Sequence, residues 1–384
     1  MSETEKQQRF SREALELHEK NRGKFGIISK VPLENRDDLS RAYTPGVAAV
    51  SQAIAADESL MYKLTPKGNM VAVISDGSAV LGLGNIGAAA AYPVMEGKCL
   101  LFKRFAGIDA IPIVIKSQNT DEIVNIIENI SVGFGGINLE DFASPRCFEI
   151  EMRLKTRLHI PVFHDDQHGT AIVVIAGLIN ALKVTGKNME SVKLVVNGAG
   201  AAGISITNLL LKAGYKNLIL LDSTGIIYEG RPENMNAEKI SIAKKTNSEK
   251  VKGGLTEALK GADVFIGVSR AGIFRKEMIG LMNEKAVVFA LANPVPEIMP
   301  EEALEAGAAV VASGRSDYPN QLNNVLVFPG IFRGALDKKL SRLDDGMFIK
   351  AAEALAALVP NPTPQKIIPS PFDDGVSEAI ARAI

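Results

Sequence analysis

Histidine occurs only four times in the 384 residues, at positions 18, 159, 164 and 168, and cysteine only twice. A zinc cage, which wants three or four nitrogen and sulfur ligands, is therefore poorly supplied. Cys99 and Cys147 stand far apart and in no metal-binding spacing, and a soluble, reducing, cytoplasmic setting is expected. Neither sign of charge is in excess. Forty-three Lys and Arg meet 44 Asp and Glu, a net charge of -1, which argues against a nucleic-acid or membrane surface. Long apolar runs are missing too. The most apolar helical stretch, AIVVIAGLINALKV, is interrupted by Asn180 and ends its core at Lys183, which reads as too short for a bilayer. The N-terminus, MSETEKQQRFSREALELHEKNRGKF, is charged and lacks the apolar centre of a secretory signal.

What is present is apolar material enough for two packed cores, 46% of the residues. An opening helix is expected at SREALELHEKNRGKF with Ser11 as N-cap. MVAVISDG reads as a buried strand entering a glycine loop, LGLGNIG, after which Pro93 is expected to cut the helix. IPIVI, the helical NTDEIVNIIENI, the loop SVGFGGINLEDF, a helix around SPRCFEIEMRLKTRL and the strand IPVF follow. From about residue 170 strands alternate regularly with helices: VKLVV, NLILLD, ADVFIGVS, AVVFALAN and AAVVASG. That alternation implies a parallel sheet covered on both faces. The fold expected is α/β, a smaller N-terminal domain over residues 1–160 and a doubly wound dinucleotide-binding domain over 161–384. The proline-interrupted tail from about 340 is expected to pack back on the first domain.

The pattern G-x-G-x-x-G occurs twice, at Gly82, Gly84, Gly87 and at Gly198, Gly200, Gly203. A dinucleotide needs a strand, a tight turn, a helix whose first amides face the pyrophosphate, and an acid closing the next strand. The second match has all four, with Asp222 closing LILLD 22 residues past Gly200. Gly198, Ala199, Gly200, Ala201, Ala202 and Gly203 are thus the candidate pyrophosphate turn. After the first match the corresponding acid, Asp109, precedes its strand, so that loop is read as a structural turn that can still line a site. Asp222 favours a free 2′-hydroxyl, and Ser223 and Thr224 add no positive charge, so NAD is expected over NADP unless Lys244 and Lys245 fold back.

In VFHDDQHGTA two acids lie between two histidines, and in GGINLED a second acid pair, Glu140 and Asp141, follows another strand. Adjacent acids at two strand ends can converge as oxygen ligands for Mg²⁺ or Mn²⁺, or can be two solvated turns. Spacing alone leaves both open.

YTPGVA, VISDGSAVLGLGNIG, PVMEGKCLLFKRFAGIDA, GGINLEDF, PVFHDDQHGTA, NGAGAAG, ANPVPEI and SDYPNQLNNVLVFPGIFRGALD together resemble a malic enzyme of the short bacterial type, in unbroken order from about residue 15 onward. The resemblance implies oxidation and decarboxylation of (S)-malate to pyruvate and CO₂, with reduction of NAD or NADP and a need for Mn²⁺ or Mg²⁺. It implies a Rossmann-type cofactor domain and a homodimer in which Tyr43 can reach a neighbour's site. It makes Glu140, Asp141 and Asp166 the metal ligands, Asp165 the carboxylate that holds the base, and His164 and His168 bystanders. Lys98 then matches the general base and Tyr43 the general acid. Asn293 matches the cofactor and substrate asparagine, and Asn324, with Asn323 beside it, the asparagine on a malate carboxylate. A lysine can serve as base only if burial and a nearby cation lower its pKa from about 10.4. One departure stands out: where the longer, animal-type enzymes carry a carboxylate-clamping arginine, this chain has Ala79. Arg315 is expected to take over the clamp. The rival functions are a malolactic-type enzyme that releases lactate, and a non-catalytic dinucleotide-sensing protein.

Overall fold

The computed structural model describes residues 3–80 and 82–384. Two parallel sheets organise it. The first is four-stranded, in the order β2-β1-β3-β4, from β1 (Met70–Ser75), β2 (Asp109–Val114), β3 (Gly136–Leu139) and β4 (Val162–His164). Its strands are continuous apolar runs because both faces are covered, as parallel sheets require. Along β1, Val71 and Val73 join the core that holds Met95 and Phe102 of the Gly87–Ala106 helix. Ala72 and Ile74 face the other way, into the core formed with Ile123, Ile127, Ile150 and Leu154. The second sheet is six-stranded, in the order β10-β9-β8-β5-β6-β7. Its members are β5 (Lys193–Asn197), β6 (Asn217–Asp222), β7 (Gly225–Ile226), β8 (Val264–Gly267), β9 (Val287–Ala290) and β10 (Val310–Ser313). All pairs are parallel except the short β6–β7 hairpin. Strand order reverses between β5 and β8, and ligands of open α/β sheets bind at the carboxyl edge beside such a switch.

The Thr170–Thr185 helix joins the two halves and is buried along most of its length. With the turn before it, the segment Asp165–Thr185 is long and apolar enough to cross a membrane, contrary to the length argument from sequence. Yet 72% of its apolar window is buried inside the protein, which marks it as a core helix. The tail's Asp345–Ala357 helix packs on Thr170–Thr185, and Val376–Ala383 packs on Phe328–Asp337 and reaches Gly87–Ala106 of the first domain.

Three local expectations need correcting. Ser11 is not an N-cap, because the first helix runs from Glu3 to Asn21 and includes it. Pro93 does not end its helix, which continues from Gly87 to Ala106. An interior proline, through its missing N–H and its ring's clash with the preceding turn, costs about 3 kcal/mol, and burial of Ala91, Met95, Cys99 and Phe102 along the same helix offsets it. The division at 160/161 also separates β4 from its sheet, since β4 pairs with β3. The helices Arg36–Ala42 and Val47–Ala56 near the N-terminus bury no residue at all. Ile27, Ile28, Val31, Leu33, Leu39 and Val50 stay exposed there.

Candidate active site

The carboxyl ends of β3 and β4 bring the two acid pairs together. One carboxylate oxygen from each of Glu140, Asp141 and Asp166 lies within 4.8 Å of the others. Asp141 adopts a φ of 58°, a left-handed conformation that Asp tolerates better than most residues, and so bends the chain straight after β3. Its backbone N–H donates to Asp166 Oδ2 at 2.8 Å, which ties one turn to the other. Glu140 is fixed by Asn138 Nδ2 at 3.0 Å, from a side chain with no exposure. Burial pushes the Glu140 carboxyl well above its ordinary range; Lys98 opposes this, and Asp166, Asp165 and Asp141 add to it. A divalent cation would relieve that repulsion, and an all-oxygen donor set suits Mg²⁺ or Mn²⁺. The residues fit such an ion.

The histidines of VFHDDQHGTA do not enter this cluster. His164 is fully buried, 3.8 Å from Asp166 Oδ2 through Nδ1, and burial lowers its pKa. His168 instead bonds Glu151, at 2.8 and 3.0 Å. Residues 165–169 form a single wide turn, on which Asp165 and Asp166 reach different partners. Gly169 permits its tightness: a Cβ there would stand 2.1 Å from Asp165 Oδ1.

Lys98, on the Gly87–Ala106 helix, meets Asp165 Oδ2 at 2.6 Å and Glu140 Oε1 at 2.9 Å, and lies 4.3 Å over the Phe328 ring. Asp165 has no solvent exposure and also accepts from Asn324 Nδ2 at 2.9 Å. Asp165 thus holds Lys98, as its expected role requires, and Asn324 holds Asp165, with Thr170 Oγ1 donating to Asn324 Oδ1 at 3.1 Å. The direction of the lysine's shift differs from expectation. Burial works to lower its pKa, but the charges of Asp165 and Glu140 outweigh that and hold the ammonium above its ordinary range.

Tyr43 is 66% exposed at the end of the Arg36–Ala42 helix, in the region where nothing is buried. Arg315 makes a bidentate pair with Asp317, Nε to Oδ1 at 3.0 Å and Nη2 to Oδ2 at 2.8 Å, so a substrate carboxylate would have to share or displace Asp317. Ala79 sits beside the metal-type cluster, its N–H donating to Asp141 O at 2.9 Å. A guanidinium that sequence reasoning missed lies near it: Arg146 Nη2 is 3.0 Å from both Asp76 Oδ2 and Ser78 Oγ.

At the second edge, the turn after β5 and Asp222 at the end of β6 line one cavity of about 590 Å³. Gly203 lets the helix press on the strand; a Cβ there would stand 1.7 Å from Gly198 O. Ala201 and Ala202 begin the Ala201–Lys212 helix, whose first amides are available to an anion. Lys244 and Lys245 form no ion pair among the described residues, whereas Arg231 and Lys239, which sequence reasoning passed over, both bind Asp222. The missed signal was YEGRPEN, an arginine nine positions past Asp222. Glu297 was also missed. Fully buried, it accepts from Ser269 N at 2.8 Å and Ala292 N at 3.0 Å, joining the loops after β8 and β9 next to Asn293. The first glycine loop does approach this edge, since a Cβ on Gly82 would lie 3.1 Å from Asn293 O.

Two family models match the chain, one for the malic enzyme N-terminal domain over residues 22–155 and one for the malic enzyme NAD-binding domain over 167–384. The bifunctional malic/malolactic enzyme of Bacillus subtilis is 55% identical over 374 residues, covering 97% of this chain and 91% of that protein. The NADP-dependent malic enzyme of Rhizobium meliloti is 50% identical over 394 residues, covering 97% of this chain and 51% of that protein. The crystal structure of the NAD-dependent malic enzyme of Thermotoga maritima superposes with a TM-score of 0.94 at 51% identity, covering 96% of this chain and 98% of that one.

Proposed function

The chain belongs to the malic enzyme family, and from that premise we propose that it oxidises and decarboxylates (S)-malate to pyruvate and CO₂, reducing NAD in preference to NADP. The observation that carries this reading is the contact of Lys98 with both Asp165 and Glu140, where the metal-type carboxylates meet. Lys98 takes the proton of the C2 hydroxyl, and a nicotinamide held by the turn at 198–203 would supply the acceptor for the hydride from C2. Asp165, itself held by Asn324, keeps the lysine in position. The C3–C4 bond then breaks, CO₂ leaves, and the enol carbon C3 takes a proton from Tyr43, which Lys98 replenishes. Bound by Glu140, Asp141 and Asp166, a divalent cation would supply Lewis acidity toward the C2 oxygen and offset the negative charge that holds Lys98 protonated.

Tyr43 performs its step from a second copy of the chain. Its exposure, and the exposed Leu39, Val47 and Val50 around it, support a homodimer that buries this region. A cytoplasmic setting suits the two buried, free thiols of Cys99 and Cys147, each pushed by burial up to about 12. The identity to a bifunctional malic/malolactic enzyme favours one second reading, in which the NADH formed reduces pyruvate to lactate before release. The test is turnover of malate with NAD or NADP, with and without Mn²⁺. The proposal expects NADH and pyruvate in equal amounts, only with the metal, and faster with NAD. Lactate without accumulating NADH selects the second reading, and cofactor binding without turnover selects a sensing protein.

A further inference from the structure

A cavity of about 480 Å³ opens against the Asp165–Gly169 turn, and none of Lys98, Glu140, Asp141, Asp165 or Asp166 lines it. Its size falls within the usual range of small-molecule sites, about 300–1,000 Å³. Phe148, Met152 and Leu343 give it apolar walls, and Glu151, Lys155, Gln167 and Arg342 contribute polar groups. The one acid is already satisfied: Glu151 accepts from His168 Nε2 at 2.8 Å and pairs with Lys155 Nζ at 2.9 Å. Arg342 is exposed and forms no ion pair among the described residues, so its charge is open to an anion. Gln167 is only 3% exposed, yet its Nε2 has no hydrogen-bond partner. Its other end, Oε1, makes only a 3.5 Å contact with Ser205 Oγ. A buried donor left unpaired costs about 1–3 kcal/mol, which an occupant supplying an acceptor would recover.

We propose that this cavity binds a small carboxylate with a short apolar body and a second acceptor oxygen. The carboxylate pairs with the guanidinium of Arg342, whose planar fork suits it. The apolar body lies against Phe148, Met152 and Leu343, and the second oxygen accepts from Gln167 Nε2. A bare inorganic anion would leave those apolar walls uncovered. The occupant is an effector rather than a substrate, because it reaches none of the side chains gathered around Lys98. Gln167 stands between Asp166 and His168 in the turn, so the occupant touches the segment that carries Asp165 and Asp166.

Titration calorimetry of the purified protein tests this with levulinate, a carboxylate with a short apolar body and a ketone oxygen. Valerate lacks the ketone, and methyl levulinate lacks the charge. Wild-type protein is expected to bind levulinate, and to bind valerate roughly fivefold more weakly. Methyl levulinate to wild type, and levulinate to Arg342→Gln, should each bind about tenfold more weakly. No binding of levulinate by wild type would mean that water alone fills the cavity and overturns the proposal. Equal affinity in Arg342→Gln also overturns it, by placing the ligand elsewhere. Valerate bound as tightly as levulinate removes Gln167 from the site, and the proposal falls with it. Binding is read without turnover, so failure of the proposed reaction would leave each of these outcomes intact.

Discussion

The two sheet edges solve opposite electrostatic problems. At the first, Glu140 and Asp165 share one cation, Lys98, while Asp141 and Asp166 crowd Glu140, whose carboxyl is pushed well above its ordinary range. At the second, Asp222 alone holds two cations. Burial works to raise its pKa, but Arg231 and Lys239 hold it well below the ordinary carboxylate range. One edge lacks positive charge and the other has a surplus of it. A site short of cations calls for one from solution, whereas the ion pairs at Asp222 are already complete. The chain's net charge of -1 hides both imbalances, because they have opposite sign.

Removing the one cation of the first edge is the harshest way to break the comparison. Lys98→Ala is expected to lower kcat for malate oxidation by roughly 10²–10⁴-fold, the usual worth of a positioned acid or base. Nucleotide binding at the second edge should survive. A loss of less than tenfold would assign the base elsewhere. Mixing this variant with Tyr43→Phe chains and allowing exchange extends the test. In a mixed dimer that shares its sites across subunits, one site keeps both native groups and activity returns. No recovery would put Tyr43 in the site of its own chain.

A milder change asks whether the first edge truly wants a divalent ion. Asp141→Asn keeps the side chain's size and removes one charge and one strong oxygen ligand. Wild-type protein is expected to gain on the order of 3 °C or more in Tm with saturating Mn²⁺, by mass action on the folded state. The variant should lose most of that gain while keeping the upshift given by NAD. Equal loss of both upshifts would mean a general structural defect and erase the contrast between the edges.

Most of the architecture was legible because its signals are local. Apolar runs such as MVAVI, a glycine turn between strand and helix, and an acid closing the next strand all report on neighbours in sequence. The ordered series of motifs that resembles the family implied Glu140, Asp141, Asp166, Lys98 and Asp165 as site residues, and the structure brings these five together. What stayed hidden depends on distant partners. Nothing near Asp222 in sequence announces that Lys239 folds back on it, because that bond crosses a loop and a helix start. The raised pKa of Lys98 was missed because Glu140, expected only among the metal ligands, also pairs with it beside Asp165. Pro93 inside its helix is a third case, in which tertiary burial overrides a local rule.

The comparison can also be sharpened within the first edge, where a fifth acid escapes the shortage. Glu151 stands behind the β4 turn and accepts from His168 Nε2 at 2.8 Å, Lys155 Nζ at 2.9 Å and the backbone N–H of His164 at 3.1 Å. Burial works to raise its pKa, but His168 and Lys155 outweigh burial and hold it well below its ordinary value. Glu140 and Glu151 are thus two buried glutamates shifted in opposite directions, one without enough cations of its own and one with them. The sign of the stability effect follows from proton binding. With its folded pKa lowered, Glu151 holds fewer protons folded than unfolded once the pH drops to about 4.3, the pKa of a free glutamate. Its contribution is therefore complete above that pH and is lost as pH falls toward the folded value. Glu151→Gln should be less stable than wild type at pH 7 by on the order of 2 kcal/mol, and the difference should shrink between about pH 5 and pH 2. Urea titrations across that range measure it. A gap that stays constant with pH would mean that Glu151 acts by shape and hydrogen bonding alone, and that its charge is not what the neighbouring cations stabilise.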